Sequence, residues 1–136
     1  MMKFFSCFLI AFFCIQISVF SQDIVSQQYL KVKEGESKNF AEYLEEVWEK
    51  QHKVALKRGF ITGYEVQKVL DSDRYDYILV IRYKDKRAYN YRERNFNEII
   101  NDPKVFPKGI LMDGKTDDDM VTYLFKLVSE SEIRKK

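Results

Sequence analysis

His52 is the single histidine of the chain, four residues after Trp48 and eight after Leu44. On a helix these three residues share one edge. A lone imidazole beside an indole can serve as a general base in a pocket. It can equally be a half-buried helix residue bonded to a backbone carbonyl. Tyr29, Tyr64, Tyr75, Tyr77, Tyr83 and Tyr123 add phenol groups that could line a cavity and orient a polar substrate. They can also be ordinary sheet residues with their hydroxyls at the rim. His52 is therefore the candidate catalytic residue. Trp48, Tyr29, Tyr64 and Tyr77 are the candidate ligand-binding residues, although Trp48 reads more readily as core.

The remaining chemistry is thin. Asp113 and the run Asp117-Asp118-Asp119 lack the alternating oxygen ligands and closing glutamate of an EF-hand and read as a solvated loop. The segment from Arg82 through Arg94 mixes cations with tyrosines, as single-strand nucleic-acid binders do. Asp85 and Glu93 interrupt it, so it reads as a charged helix face. There is no phosphate-cradling glycine loop, paired metal-ligand motif or nucleophile elbow. Nothing places a Ser-His-Asp triad. No metal, cofactor or nucleic-acid partner is expected.

The elements that must position these residues begin after residue 21. Lys3 precedes an almost wholly apolar stretch, Phe4 to Phe20, and Val19-Phe20-Ser21 closes it with small or modest side chains. This is the layout of a secretory signal peptide cut after Ser21. The competing reading is an uncleaved anchor, but the stretch is short for a span and no basic stop signal comes after it. Cys14 is preceded by two phenylalanines, which does not suit a lipidation site. Export to the periplasm or beyond is expected, with no stable membrane association after cleavage. Both cysteines, Cys7 and Cys14, lie in the leader. The mature chain would then enter an oxidising compartment without a disulfide or a thiol.

Removing residues 1–21 from 136 leaves 115, a single domain by size. Such a chain buries roughly 65% of its unfolded surface. The full-length charge of +2 falls to +1 with the loss of Lys3. That balance exerts no general pull on nucleic acid or anionic membrane.

Alternation predicts a strand over Ile24–Val32, with Ile24, Leu30 and Val32 on one face and Val25 and Tyr29 on the other. Glu34-Gly35-Glu36 is a turn. Ser37 or Asn39 caps a helix over Lys38–Arg58, with Glu42 completing a capping box to Asn39. Its stripe is Phe40, Leu44, Val47, Trp48, Val54 and Ala55, and Gly59 ends it. Strands over Tyr64–Leu70 and Tyr75–Tyr83 come next. The second is apolar on both faces, as a central, doubly covered strand would be. A second helix over Lys86–Asn101 has Asp85 as its cap and Tyr89, Phe96, Ile99 and Ile100 as its stripe. After a loop over Lys108–Asp119, a last strand over Met120–Val128 places Val121, Tyr123, Phe125 and Leu127 on one face. Residues 129–136 read as a polar tail.

The order β-α-β-β-α-β specifies a ferredoxin-like α+β fold: a four-stranded antiparallel sheet with both helices on one face. The domain spans 22–128. Its second sheet face needs a cover, and a homodimer supplies one.

The segments Tyr29-Leu30-Lys31-Val32, Trp48-Glu49-Lys50-Gln51-His52, Gly59, Gly63-Tyr64 and Tyr75-Asp76-Tyr77 resemble the dimeric α+β barrel superfamily. Within it, the chain is similar to small, often secreted bacterial proteins of undefined function, over residues 25–128. The resemblance implies two ferredoxin-like monomers packed sheet to sheet. The superfamily holds cofactor-free monooxygenases, haem enzymes, isomerases and proteins with no known activity, so it does not fix a function. No further motif supports haem at His52. Three readings are open: an exported homodimer that binds a small, largely apolar molecule; a cofactor-independent monooxygenase or isomerase using His52; and a purely structural assembly domain.

Overall fold

The computed structural model describes residues 22–131. The expected leader and residues 132–136 lie outside the described residues. The elements are β1 (Asp23–Val32), α1 (Ser37–Tyr43), a π-helical turn (Leu44–Glu49), α2 (Lys50–Lys57), β2 (Gly63–Lys68), β3 (Tyr77–Tyr83), α3 (Lys86–Asn90), α4 (Arg92–Ile100), α5 (Asp117–Met120) and β4 (Val121–Ser131). The strands form one antiparallel sheet in the order β2-β3-β1-β4. This is the ferredoxin-like α+β arrangement expected from the sequence. None of the described helices is long and apolar enough to cross a membrane.

Residues 37–57 form one continuous helix that passes through the π turn. Phe40, Tyr43, Leu44, Val47, Trp48 and Ala55 are buried on its inner face. They meet Ile24 and Leu30 of β1, Leu79 and Tyr83 of β3, and Val121 of β4 in a single core, to which α4 adds Ile99. Gly59 ends the helix at φ +74°, a conformation that costs glycine little and other residues more. The expected cap differs. Glu36 occupies the N-cap position without a side-chain cap bond. Its carboxylate instead accepts from Asn39 Nδ2 at 2.8 Å and pairs with Lys115. A long-range ion pair has taken the place of the local capping box, and it ties the loop before α5 to the start of α1.

Asp85 does cap α3, accepting from the Ala88 N–H at 2.8 Å. The expected second helix is broken: α3 ends at Asn90 and α4 begins at Arg92, with Tyr91 between them. The acidic run opens the short α5. Thr116 and Asp119 form a capping box there, and Tyr123 Oη donates to Asp117.

β1 is central. Its pairing with β3 sets Leu30 opposite Tyr77 and Ile24 opposite Tyr83. Just before β3, Asp76 continues the join. Its backbone N–H donates to the Leu30 carbonyl at 2.9 Å, and its carboxylate accepts from the Val32 N–H at 2.8 Å and from Lys31 Nζ at 3.2 Å.

β4 corrects one expected face. The β1–β4 register shifts at Tyr29/Leu30: Phe125 pairs with Tyr29 and Tyr123 with Leu30, leaving Leu124 as an extra residue. The bulge reverses the alternation. Val121 and Tyr123 join the helix-side core, whereas Phe125 stacks on Tyr29 across the other face, ring centroids 4.2 Å apart. Leu127 shares that face, opposite Gln27. β4 also runs on to Ser131, because the polar residues Ser129–Ser131 pair with Val25, Ile24 and Asp23. The face away from the helices thus holds buried Val25 and Val80, with Phe125 53% and Leu127 48% exposed at its β4 side.

Candidate functional site

α2 carries Gln51 and His52 into a cleft of about 410 Å³, where β3 supplies Ile81 and Tyr83 and α4 supplies Arg92, Glu93, Phe96 and Asn97. Two helix ends fix the spacing of α2 and α4. Arg58, just past α2, pairs with Asp102 at 2.8 Å and with Glu98 at 3.5 Å. The Asp102 carboxyl is held below the usual carboxylate range, first by the Lys104 N–H and then by the Arg58 guanidinium.

His52 is 3% exposed. Its ring lies on Trp48 with centroids 3.8 Å apart, and Phe96 and Tyr64 flank it at 4.9 Å and 5.7 Å. Trp48 itself meets Tyr64 edge-on at 5.8 Å. Nδ1 sits 2.7 Å from the Trp48 carbonyl oxygen. A carbonyl only accepts, so this contact places the proton on Nδ1 and leaves Nε2 with a lone pair. Nε2 is sealed from solvent and has no hydrogen-bond partner among the described residues. Burial disfavours the imidazolium and lowers the pKa to about 4, against the raising effect of the Trp48 carbonyl. At neutral pH the ring is therefore an uncharged acceptor.

The π turn runs directly into α2, so that Trp48 lies in the turn and His52 in the first turn of α2. Such turns are rare and concentrate at functional sites. The extra residue rotates α2 relative to a regular α-helical continuation, so it helps set the direction in which α2 presents His52.

The cleft is mixed in character. Ile81, Tyr83 and Phe96 make its apolar part. The Tyr83 phenol is buried and its pKa pushed up, chiefly by burial, so it stays neutral. Arg92 is held in place at the cleft: it donates to the Tyr89 carbonyl at 2.9 Å, lies 4.0 Å over the Tyr89 ring and reaches Glu93 at 3.6 Å.

Of the residues singled out in the sequence, the fold brings His52, Trp48 and Tyr64 together. It does not bring Tyr29 or Tyr77 to them. Tyr77 packs edge-on to Phe40 in the core at 5.3 Å. Tyr29 lies on the opposite sheet face between Tyr75 and Phe125. Tyr29 and Tyr64 sit in strands two apart and on opposite parities of the register, a separation that residue type cannot reveal. Gln51, Arg92 and Asn97 are not legible as site residues in the sequence, because polar residues on a helix carry no periodic signal. Phe96 is visible there as a member of the apolar stripe.

No protein-family model matches the chain, and no curated protein matches it. Among solved structures, it is similar to HapK from Hahella chejuensis, at 12% identity and a TM-score of 0.55, over 83% of this chain and 96% of that one. It is also similar to an uncharacterized NIPSNAP-like domain protein from Burkholderia xenovorans, at 11% identity and a TM-score of 0.44, over 84% and 86% of the two chains. The HapK likeness is one of fold. It fits the ferredoxin-like α+β fold, and a fold alone does not fix a function.

Proposed function

We propose that this chain is an exported homodimeric domain whose His52 cleft holds a small, largely apolar molecule. One observation carries the binding part: a buried imidazole with an unpartnered Nε2 lone pair at a cleft walled by Ile81, Tyr83 and Phe96. An unmet buried acceptor costs roughly 1–3 kcal/mol, and a ligand donor that displaces the side chains sealing Nε2 from the cleft would recover part of that. The ligand is then a compact apolar body bearing one donor, such as a hydroxyl or an N–H group. The leader-like first 21 residues support export. The exposed apolar side chains Phe125 and Leu127, on the sheet face away from the helices, support pairing with a second copy.

Phenol and anisole separate the donor from the apolar body. Titrated into the protein and followed by NMR at His52, Phe96 and Asn97, phenol should bind several-fold more tightly than anisole. The difference should vanish in His52→Ala. Equal binding of the two probes in the wild type, or a preference that survives in His52→Ala, would remove Nε2 from the site. The enzymatic reading needs His52 as a base, and a pKa near 4 makes it a poor one at neutral pH. Binding is the reading the geometry favours.

A further inference from the structure

The break between α3 and α4 leaves Tyr91 44% exposed, with two guanidinium groups near its ring: Arg94 at 5.1 Å and Arg87 at 5.9 Å from the centroid. Neither arginine pairs with a carboxylate among the described residues, unlike Arg58 and Arg92. Both line a second cleft, of about 400 Å³, floored by Phe60 and Asn95 beside Gly59. Asn95 is only 9% exposed. Its side-chain amide has no hydrogen-bond partner among the described residues, and it is not sealed as His52 Nε2 is. Two unpaired guanidinium forks, a free amide and two aromatic rings around one cavity match an oxyanion on a small organic body.

We propose that this cleft is a second ligand site, separate from His52, for a small organic anion. Its carboxylate or phosphate meets Arg87, Arg94 and the Asn95 amide, and its apolar part lies against Tyr91 and Phe60. Asp85 also lines the cleft and opposes an anion, although its Oδ1 is engaged by the Ala88 N–H. The charged side chains of the cleft still sum to a positive site. Asp85 also provides a sign test. Asparagine caps helices as well as aspartate, so Asp85→Asn retains the cap and removes the repulsion.

The test is NMR titration of the protein with inorganic phosphate and with benzoate, at ionic strength held constant by KCl, so that simple screening is matched. Saturable shifts at the Gly59, Ala88 and Asn95 amides with either probe support the site. Saturation by phosphate alone assigns it to phosphates, and by benzoate alone to carboxylates. Arg87→Gln/Arg94→Gln should weaken binding by about tenfold or more. Asp85→Asn should strengthen it, and His52→Ala should leave it unchanged. Both arginines are exposed, so the double variant should keep the wild-type circular dichroism. Shifts that never saturate, saturable shifts unaltered in the double arginine variant, or weaker binding in Asp85→Asn would overturn the proposal.

Discussion

His52 is bound twice to Trp48: its ring lies on the indole at 3.8 Å, and its Nδ1 meets the Trp48 carbonyl at 2.7 Å. The first contact fixes the plane of the imidazole and the second fixes its tautomer. Together they leave Nε2 as the nitrogen without a hydrogen-bond partner among the described residues.

That arrangement has a pH signature. The folded pKa of His52 is about 4, below its ordinary value of 6.5, so between these values the unfolded chain binds more protons. The stabilisation is fully present above about pH 6.5 and falls as pH drops toward 4, by on the order of 3 kcal/mol in total. Glu36 is also lowered, from an ordinary value of 4.5, and Asp102 and Asp119 from 3.8, so their contributions start to fade only at the acid end of the His52 window. Urea midpoints between pH 7 and 4 should therefore decline in the wild type and stay flatter in His52→Gln. Trp48, the sole tryptophan, offers a direct readout, since an imidazolium against the indole quenches its emission. Quenching should appear near pH 4, not near 6.5.

Asp76 joins the start of β3 to β1 through the Val32 N–H and Lys31. Asp76→Ala should cost about 1–2 kcal/mol in denaturant unfolding. Asp76→Asn should lose less, because the amide oxygen can still accept from Val32. Equal losses would show that the Lys31 charge matters more than the backbone bond.

The open sheet face should behave as an assembly surface. Phe125→Glu and Leu127→Glu place a charge among apolar residues of that face while leaving the helix-side core untouched. Each should convert a dimer to a monomer in sedimentation analysis, with an unchanged far-ultraviolet spectrum. A wild-type monomer would mean that this face is covered some other way.

Phe40 is fully buried and packs against Tyr43 and Tyr77. Phe40→Ala should cost about 3–5 kcal/mol, a large part of the stability of a domain this size. The loss would be read from chemical denaturation.

The parts of this molecule legible in its sequence are those decided locally. Gly59 ends its helix and Asp85 caps the next because both act within one turn. The parity of β1 placed Leu30 inward and Tyr29 outward as the structure has them. The features that stayed unread depend on distant partners. The Leu124 bulge exists only relative to β1, so the face of Phe125 could not be read from β4 alone. Glu36 gave up local capping for Lys115, 79 residues away. The π turn before His52 has no residue signature. The shared helix edge of His52 and Trp48 is visible from their spacing, whereas the approach of Tyr64 to both rings depends on how β2 pairs with β3. Arg92 and Asn97 emerged only when α4 was laid beside α2.

Native mass spectrometry of the full chain purified from its producing cells without denaturation, wild type beside His52→Ala, shows whether the His52 cleft holds a small molecule. The expected result is a wild-type species carrying a low-mass component that is released on activation, and a folded variant from which that component is missing. Bare protein in both samples, or the same component retained by His52→Ala, would contradict the account.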